Sequence, residues 1–248
     1  MMRFLGIGID FGWQGKPSGL AALDWDGHSL SLIEMQNIKP FEEILASVER
    51  IASNGQALVA IDAPIIITND DGMRDADRQM HKLFGKYHAG AYPANLGRPF
   101  AKNTIRLGKE LQRMGFEHAC EIVHREPGRY QIEVYPHAAI VELFDLQRII
   151  KYKKGLIRDR FGELSRYRSM LLERLPSLDP ALPLSSLPDF EQTGHEMKEA
   201  EDQMDALTCA YVGAYWWYWG LERNHAYGST EGGYIVVPRR DFVPTTND

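Results

Sequence analysis

Three apolar runs in this chain stop on an acid. FLGIGID ends on Asp10, ALVAID on Asp62 and RYQIE on Glu133. A short continuous apolar run reads as a buried strand, and burying an unpaired carboxylate at its end is costly. In open α/β sheets, ligands bind outside the carboxyl ends of the strands. The acids therefore point to a sheet whose strand ends form a rim. If residues 3–11 and 57–62 are neighbouring strands, Asp10 and Asp62 lie side by side.

Side chains alternate across a strand. Phe4, Gly6, Gly8 and Asp10 share one face of the first run, and Leu5, Ile7, Ile9 and Phe11 the other. The glycines leave the Asp10 face bare, so another backbone or a ligand can come close.

The order of the remaining elements extends the pattern. Residues 19–25 and 29–35 read as strands joined at Asp26–Gly27, a hairpin signal. Apolar positions 41, 44, 45, 48 and 51 predict a helix over 41–53, with Asn54–Gly55 as its C-terminal stop. After the strand at 57–62 comes a mixed stretch, 68–128, with helices after Thr68 and over 103–118. The strand at 129–136 leads to helices over 137–148 and, in part, 151–175. Residues 175–190 hold four prolines and read as a connection. A long helix over 194–221 and a short strand over 232–238 close the chain. Hairpin strands followed by a helical crossover define an α/β class with a mixed sheet, in one domain over 1–248 with an insertion at about 68–128.

The long helix adds carboxylates. Glu201, Asp202 and Asp205 fall on about one face, and Asp205 heads an apolar stripe of Cys209, Val212 and Trp216. Acids driven together either hold protons or are neutralised by a cation. Hard oxygen ligands at a strand-end rim suit Mg²⁺ or Mn²⁺, and a pair of such ions supports phosphodiester hydrolysis.

Composition sets the outer bounds. The 248 residues are 44% hydrophobic and carry a net charge of −6, so polyanion binding would need a local basic patch. Nine basic residues against three acidic ones fall in 147–174, including Lys153 and Lys154, with Tyr152, Phe161 and Tyr167 interleaved. That mixture suits phosphate contacts with base stacking, or equally a solvated amphipathic helix. Arg74, Arg78, Lys82 and Lys86 recur at helical spacing as a second phosphate-facing surface, or as a plain exposed face. The run Trp216 to Trp219 reads as core or as an aromatic surface for a homo-oligomer. His137 reads as a polar residue at a helix start. Two cysteines, Cys120 and Cys209, are too few for a disulfide framework and suit a reducing cytoplasm. With one basic residue before a short broken apolar run, a signal peptide is a poor fit. No apolar run is long enough for a membrane span.

Six stretches in order carry a resemblance: GIGIDFGW, VAIDAPI, RDADRQMHKLFG with HAGAYPAN, IEVYPHAAIVELF, YKKG and EDQMDALTCAY, together spanning about residues 5–237. They resemble the RuvC-type branch of the RNase H-like superfamily and, more closely, the predicted RNase H-like nucleases of domain-of-unknown-function family 429. The resemblance implies a five-stranded mixed sheet in the order 3-2-1-4-5, flanked by helices. It implies Asp10, Asp62 and Asp205 as a Mg²⁺- or Mn²⁺-binding core, with Glu133 and Asp202 as further ligands. It also implies a metal-dependent nuclease in which Lys153 or Lys154 holds a phosphate of the nucleic acid. Two other functions share such a fold: an actin- or sugar-kinase-like nucleotide-binding phosphotransferase, with Lys16 as a phosphate contact, and a non-catalytic nucleic-acid-binding protein.

Overall fold

The strand Phe4–Asp10 (β1) lies between an antiparallel and a parallel neighbour. It pairs with Ser18–Trp25 (β2) on one side and with Gln56–Asp62 (β4) on the other. These relations come from a computed structural model that describes residues 4–53 and 55–239. Arg3 of the first expected strand and Asn54, expected as part of a helix stop, lie outside the described residues. Leu30–Ile38 (β3) continues the sheet beyond β2, while Arg129–Glu133 (β6) and the two-residue Glu117–His118 (β5) continue it beyond β4. The full order is β3-β2-β1-β4-β6-β5, a mixed sheet with β1, β4, β6 and β5 parallel.

The β2–β3 hairpin is closed by Asp26, whose Oδ1 accepts from the backbone N–H groups of His28 and Ser29 at 2.8 and 2.9 Å. Phe41–Ala52 (α1) then crosses to β4 and buries Ile44, Val48 and Ala52. Within the insertion lie Asp75–Phe84 (α2) and Ala101–Arg113 (α3). Pro136–Leu143 (α4), Ile157–Arg174 (α5) and Gly194–Trp219 (α6) follow β6. Asn224–Ser229 (β7) and Gly233–Pro238 (β8) form a separate antiparallel pair.

Several expected boundaries are corrected. The sheet has six strands, because the expected 103–118 helix stops at Arg113 and its tail becomes β5. The stop is a Schellman motif: Gly115 takes φ +86°, its N–H donates to Gln112 O, and Phe116 N–H donates to Leu111 O, both at 3.0 Å. The expected 137–148 helix ends at Leu143 in the same way, with Asp145 at φ +52° and Leu146 N–H donating to Val141 O at 3.0 Å. The proline-rich 175–190 stretch is packed, with Leu175, Leu182 and Leu187 buried. β7 carries no apolar run that would announce it.

The sheet divides two apolar clusters. Leu5, Ile7, Ile9 and Phe11 pack with α1 and α3 side chains such as Val48 and Leu107. Phe4 and the small residues of α6 belong to the other side. There α6 lies on the glycine-cleared face at backbone distance. A Cβ at Gly8 would stand 1.9 Å from Ala206 O and 2.2 Å from Ala210 N, and one at Gly19 1.9 Å from Asp202 O. The bare face of β1 thus admits a helix backbone. Trp216 and Trp217 are core: Trp216 Nε1 donates to Ala119 O at 3.0 Å, and the Trp217 ring stacks on Phe4 at 3.8 Å. The expected aromatic surface for self-association is therefore mostly interior, with Trp219 half-buried.

Gly8→Ala must push α6 off the sheet, because both obstacles are backbone. We expect a stability loss of about 3 kcal/mol or more, read as a lower midpoint in urea denaturation. A parent-like midpoint would show that the helix sits farther from β1.

Candidate active site

Strand register places the first two acids. Asp10 pairs with Asp62 across the parallel β1–β4 ladder, so their Cα atoms stand about 4.8 Å apart. Glu133 is one strand further and one residue lower, opposite Ile61. Helix α6 passes over the same rim and brings Asp202 and Asp205, which are 5% and 0% exposed.

Asp205 is the deepest of these acids. Tyr152 Oη donates to its Oδ1 at 2.6 Å, and Lys153 Nζ makes an ion pair with its Oδ2 at 2.7 Å. Burial alone would raise its pKa, but the Lys153 ammonium outweighs burial and holds the carboxyl below its ordinary range. Asp10 and Asp62 touch solvent at the rim, yet the surrounding protein desolvates them. Desolvation raises both pKa values, Lys153 opposes the rise, and neighbouring carboxylates add to it. Asp202 hydrogen-bonds to Asp10 and is pushed up to about 8, first by desolvation and then by the charge of Asp10. One proton is therefore shared between two carboxyls at neutral pH.

Two further cations help hold this charge, neither singled out in the sequence for that part. Lys198 Nζ lies 2.8 Å from Glu201 Oε1 and 2.5 Å from Asp202 Oδ1. Its spacing of three and four residues from these acids on one helix was the available signal. Arg160 reaches Glu201 at 3.6 Å. His137 also faces the cluster. Burial first, and then Lys153, lower it to about 4, so it is neutral, and its Nδ1 has no hydrogen-bond partner among the described residues.

Glu133 and Arg74 occupy different positions from those expected. The Arg74 guanidinium is 4% exposed and grips both Glu133 oxygens at 2.6 and 2.7 Å, while its other edge meets Asp77 at 2.7 Å. Asp77 Oδ2 also accepts from Ala94 N–H at 2.9 Å. Arg74 is thus a buried tie between the insertion and the sheet, which corrects its reading as a phosphate-facing residue. Glu133, expected as a further metal ligand, has both carboxylate oxygens in that ion pair. Arg78 is exposed and pairs with Asp75. Lys154 is exposed too. Within the basic 147–174 segment Arg158 pairs with Asp159 and Arg166 with Glu163, while Arg160 and Arg168 reach Glu201 and Asp189 outside it. Tyr152 and Tyr167 are fully buried and stacked at 4.8 Å, so they offer no face to a base.

The donor set of Asp10, Asp62, Asp202 and Asp205 is all hard oxygen, which fits a divalent cation in chemistry. Among the described residues no three potential ligands are drawn together into a finished metal site. Lys153 supplies positive charge in their midst. Cys120 and Cys209 are free thiols, and no described helix is long and apolar enough to cross a membrane.

The molecule is thus an α/β protein with a mixed six-stranded sheet and a carboxylate cluster at its rim. It belongs to the family described as "Protein of unknown function (DUF429)", whose model matches residues 8–228. No curated protein and no solved structure shows significant similarity to the chain.

The buried charges give two measurable consequences. An acid whose pKa is higher in the folded than in the unfolded chain binds its proton more tightly when folded, so stability falls as pH rises between the two values. For Asp202 that window runs from 3.8 to about 8. In chelator, the melting temperature is expected to fall across this range, and Asp202→Asn to flatten the fall; an unchanged profile would contradict the shared proton. Arg74→Met leaves two buried carboxylates without their cation and should cost roughly 3–5 kcal/mol. Glu133 sits at about 7 through burial, opposed by Arg74, so urea denaturation should show a smaller loss in acid than in base.

Proposed function

We propose that the chain is a metal-dependent nuclease of the RNase H-like type, in its RuvC-like branch, that hydrolyses nucleic-acid phosphodiester bonds. One observation carries the reading: Asp10 and Asp62 are in register on parallel strands, and Asp202 and Asp205 of α6 are buried over the same rim. Packing four carboxyls there costs stability unless a cation joins them. The same packing supplies the ligand chemistry for Mg²⁺ or Mn²⁺.

Asp10, Asp62, Asp202 and Asp205 would hold the ions. Bound there, they would lower the pKa of a water and stabilise the leaving oxygen. Asp10, in register with Asp62 and hydrogen-bonded to Asp202, would be the ligand common to both. Asp202, raised to about 8 by desolvation and then by the charge of Asp10, would hold such an ion in its ionised form. Lys153 leaves Asp205 and holds a phosphate oxygen, with its backbone anchored by the buried Tyr152 beside it. Neutral His137 stays within reach of the cluster as a proton acceptor.

The ion pair of Lys153 with Asp205 favours one other reading, a non-catalytic nucleic-acid-binding protein in which the lysine permanently seals the acids. Titration with Mn²⁺ separates the two, because the sealed site would bind none.

Labelled single-stranded, duplex and branched DNA and RNA are the substrates for the direct test. Cleavage should require Mn²⁺ or Mg²⁺ and drop by about 100-fold or more in Asp10→Asn, a loss of roughly 3 kcal/mol of transition-state stabilisation. Absence of cutting on every substrate, or parent-like cutting by the variant, would overturn the nuclease reading.

A further inference from the structure

The opposite face of β1 opens onto different chemistry. Just past Asp10, a cavity of about 260 Å³ lies between the β1–β2 turn, the start of α1, and α3. Phe11 and Gly12 line it, one and two residues from the acidic rim. Its inner wall is apolar, with Phe11, Ile38 and Ile44. Its mouth carries Lys16, Lys39 and Arg106 against Glu42 alone. Arg106 stacks on the Phe41 ring at 4.1 Å and reaches Glu42 at 3.2 Å. Lys16 and Lys39 are exposed and make no ion pair among the described residues. In a chain of net charge −6, three cations on one cavity mark a place for an anion.

The turn that presents Lys16 is held in shape. Gly12 N–H donates to Ser18 Oγ at 2.9 Å, and Lys16 N–H to Trp13 O at 3.2 Å. A Cβ at Gly12 would stand 2.1 Å from Pro17 O, so the turn closes tightly. Trp13 rides on the same turn, next to Gly12 of the cavity, 45% exposed and tilted at 55° to the Phe100 ring with centroids 4.7 Å apart. Its exposed indole offers a surface on which a base can stack.

We propose that this cavity is a strand-binding subsite. It holds one nucleotide unit of a single-stranded nucleic acid, so that a neighbouring phosphodiester falls at Asp10. The inference rests on the nuclease reading for that last clause alone. Lys16, Lys39 and Arg106 take the phosphate, and Trp13 stacks the base. The cavity, at about 260 Å³, is below the roughly 300–1,000 Å³ usual for drug-sized ligands and too small for an extended cofactor. This face, on the side of the sheet away from α5, adds a second nucleic-acid contact to the one assigned to Lys153.

Fluorescence anisotropy of labelled oligothymidylate and oligouridylate, with metal chelated, reads binding without cleavage. The double variant Lys16→Glu/Lys39→Glu should weaken binding by about tenfold or more and flatten the dependence of log Kd on log salt by about 1.4, the share of two single-strand phosphate contacts. Trp13→Ala should weaken it by about tenfold through lost stacking. All three side chains are exposed, so melting temperatures should stay near the parent's. Parent-like binding by both variants overturns the proposal. Displacement of the oligonucleotide by an equal concentration of inorganic phosphate also overturns it, since the cavity would then be a small-anion site. The nuclease reading fails independently. If charge reversal abolishes binding but no form cuts with Mn²⁺, the subsite stands on a non-catalytic binding protein.

Discussion

The close approach of α6 to β1 and β2 underlies the rest of the molecule. Gly8 and Gly19 remove the side-chain layer that normally separates a helix from a sheet, and the carbonyls of Ala206 and Asp202 occupy the space a Cβ would fill. Helix and strand then lock at a fixed height and phase. That phase carries Asp202 and Asp205 onto the strand ends where Asp10 and Asp62 already stand in register. Without the glycines, the acids of the helix and those of the sheet would be separate surface features.

Such convergence has an electrostatic cost, and the protein meets it with lysines from two directions. Lys153 arrives from the segment before α5 and pairs with Asp205, while Lys198 bridges Glu201 and Asp202 from within α6. The remaining imbalance appears as the proton that Asp202 keeps to about 8 through desolvation and the nearby charge of Asp10. This state is poised, because positive charge at the rim favours the ionised form of Asp202.

Much of this was legible in the sequence for identifiable reasons. Short apolar runs located β1, β4 and β6, and the acids at their ends marked the rim. The Asp26–Gly27 hairpin and the amphipathic α1 carried ordinary local signals. Misplaced helix ends depended on backbone conformations that sequence declares unevenly. Gly115 could have signalled the end of α3, whereas Asp145 adopts the same left-handed conformation without a glycine. The role of Arg74 was hidden because helical spacing with Arg78 and Lys82 suggested an outward face. Its actual partners, Asp77 and Glu133, are 3 and 59 residues away; the near one fits a helix start, but the far one depends on tertiary structure. Interleaved aromatics near the basic segment misled for the same reason: Tyr152 and Tyr167 turn inward to Asp205 and α6.

The Arg74 tie has a mechanical consequence for the 68–128 elaboration. Its guanidinium joins Asp77 of α2 to Glu133 of the sheet and also donates to Ile66 O at 2.9 Å, while Asp77 secures Ala94 of the following loop. Swinging this region away would expose three charges to separate solvation and break all of those bonds together. The elaboration is therefore pinned to the sheet beside the rim, and cannot move away from it without losing the whole set at once.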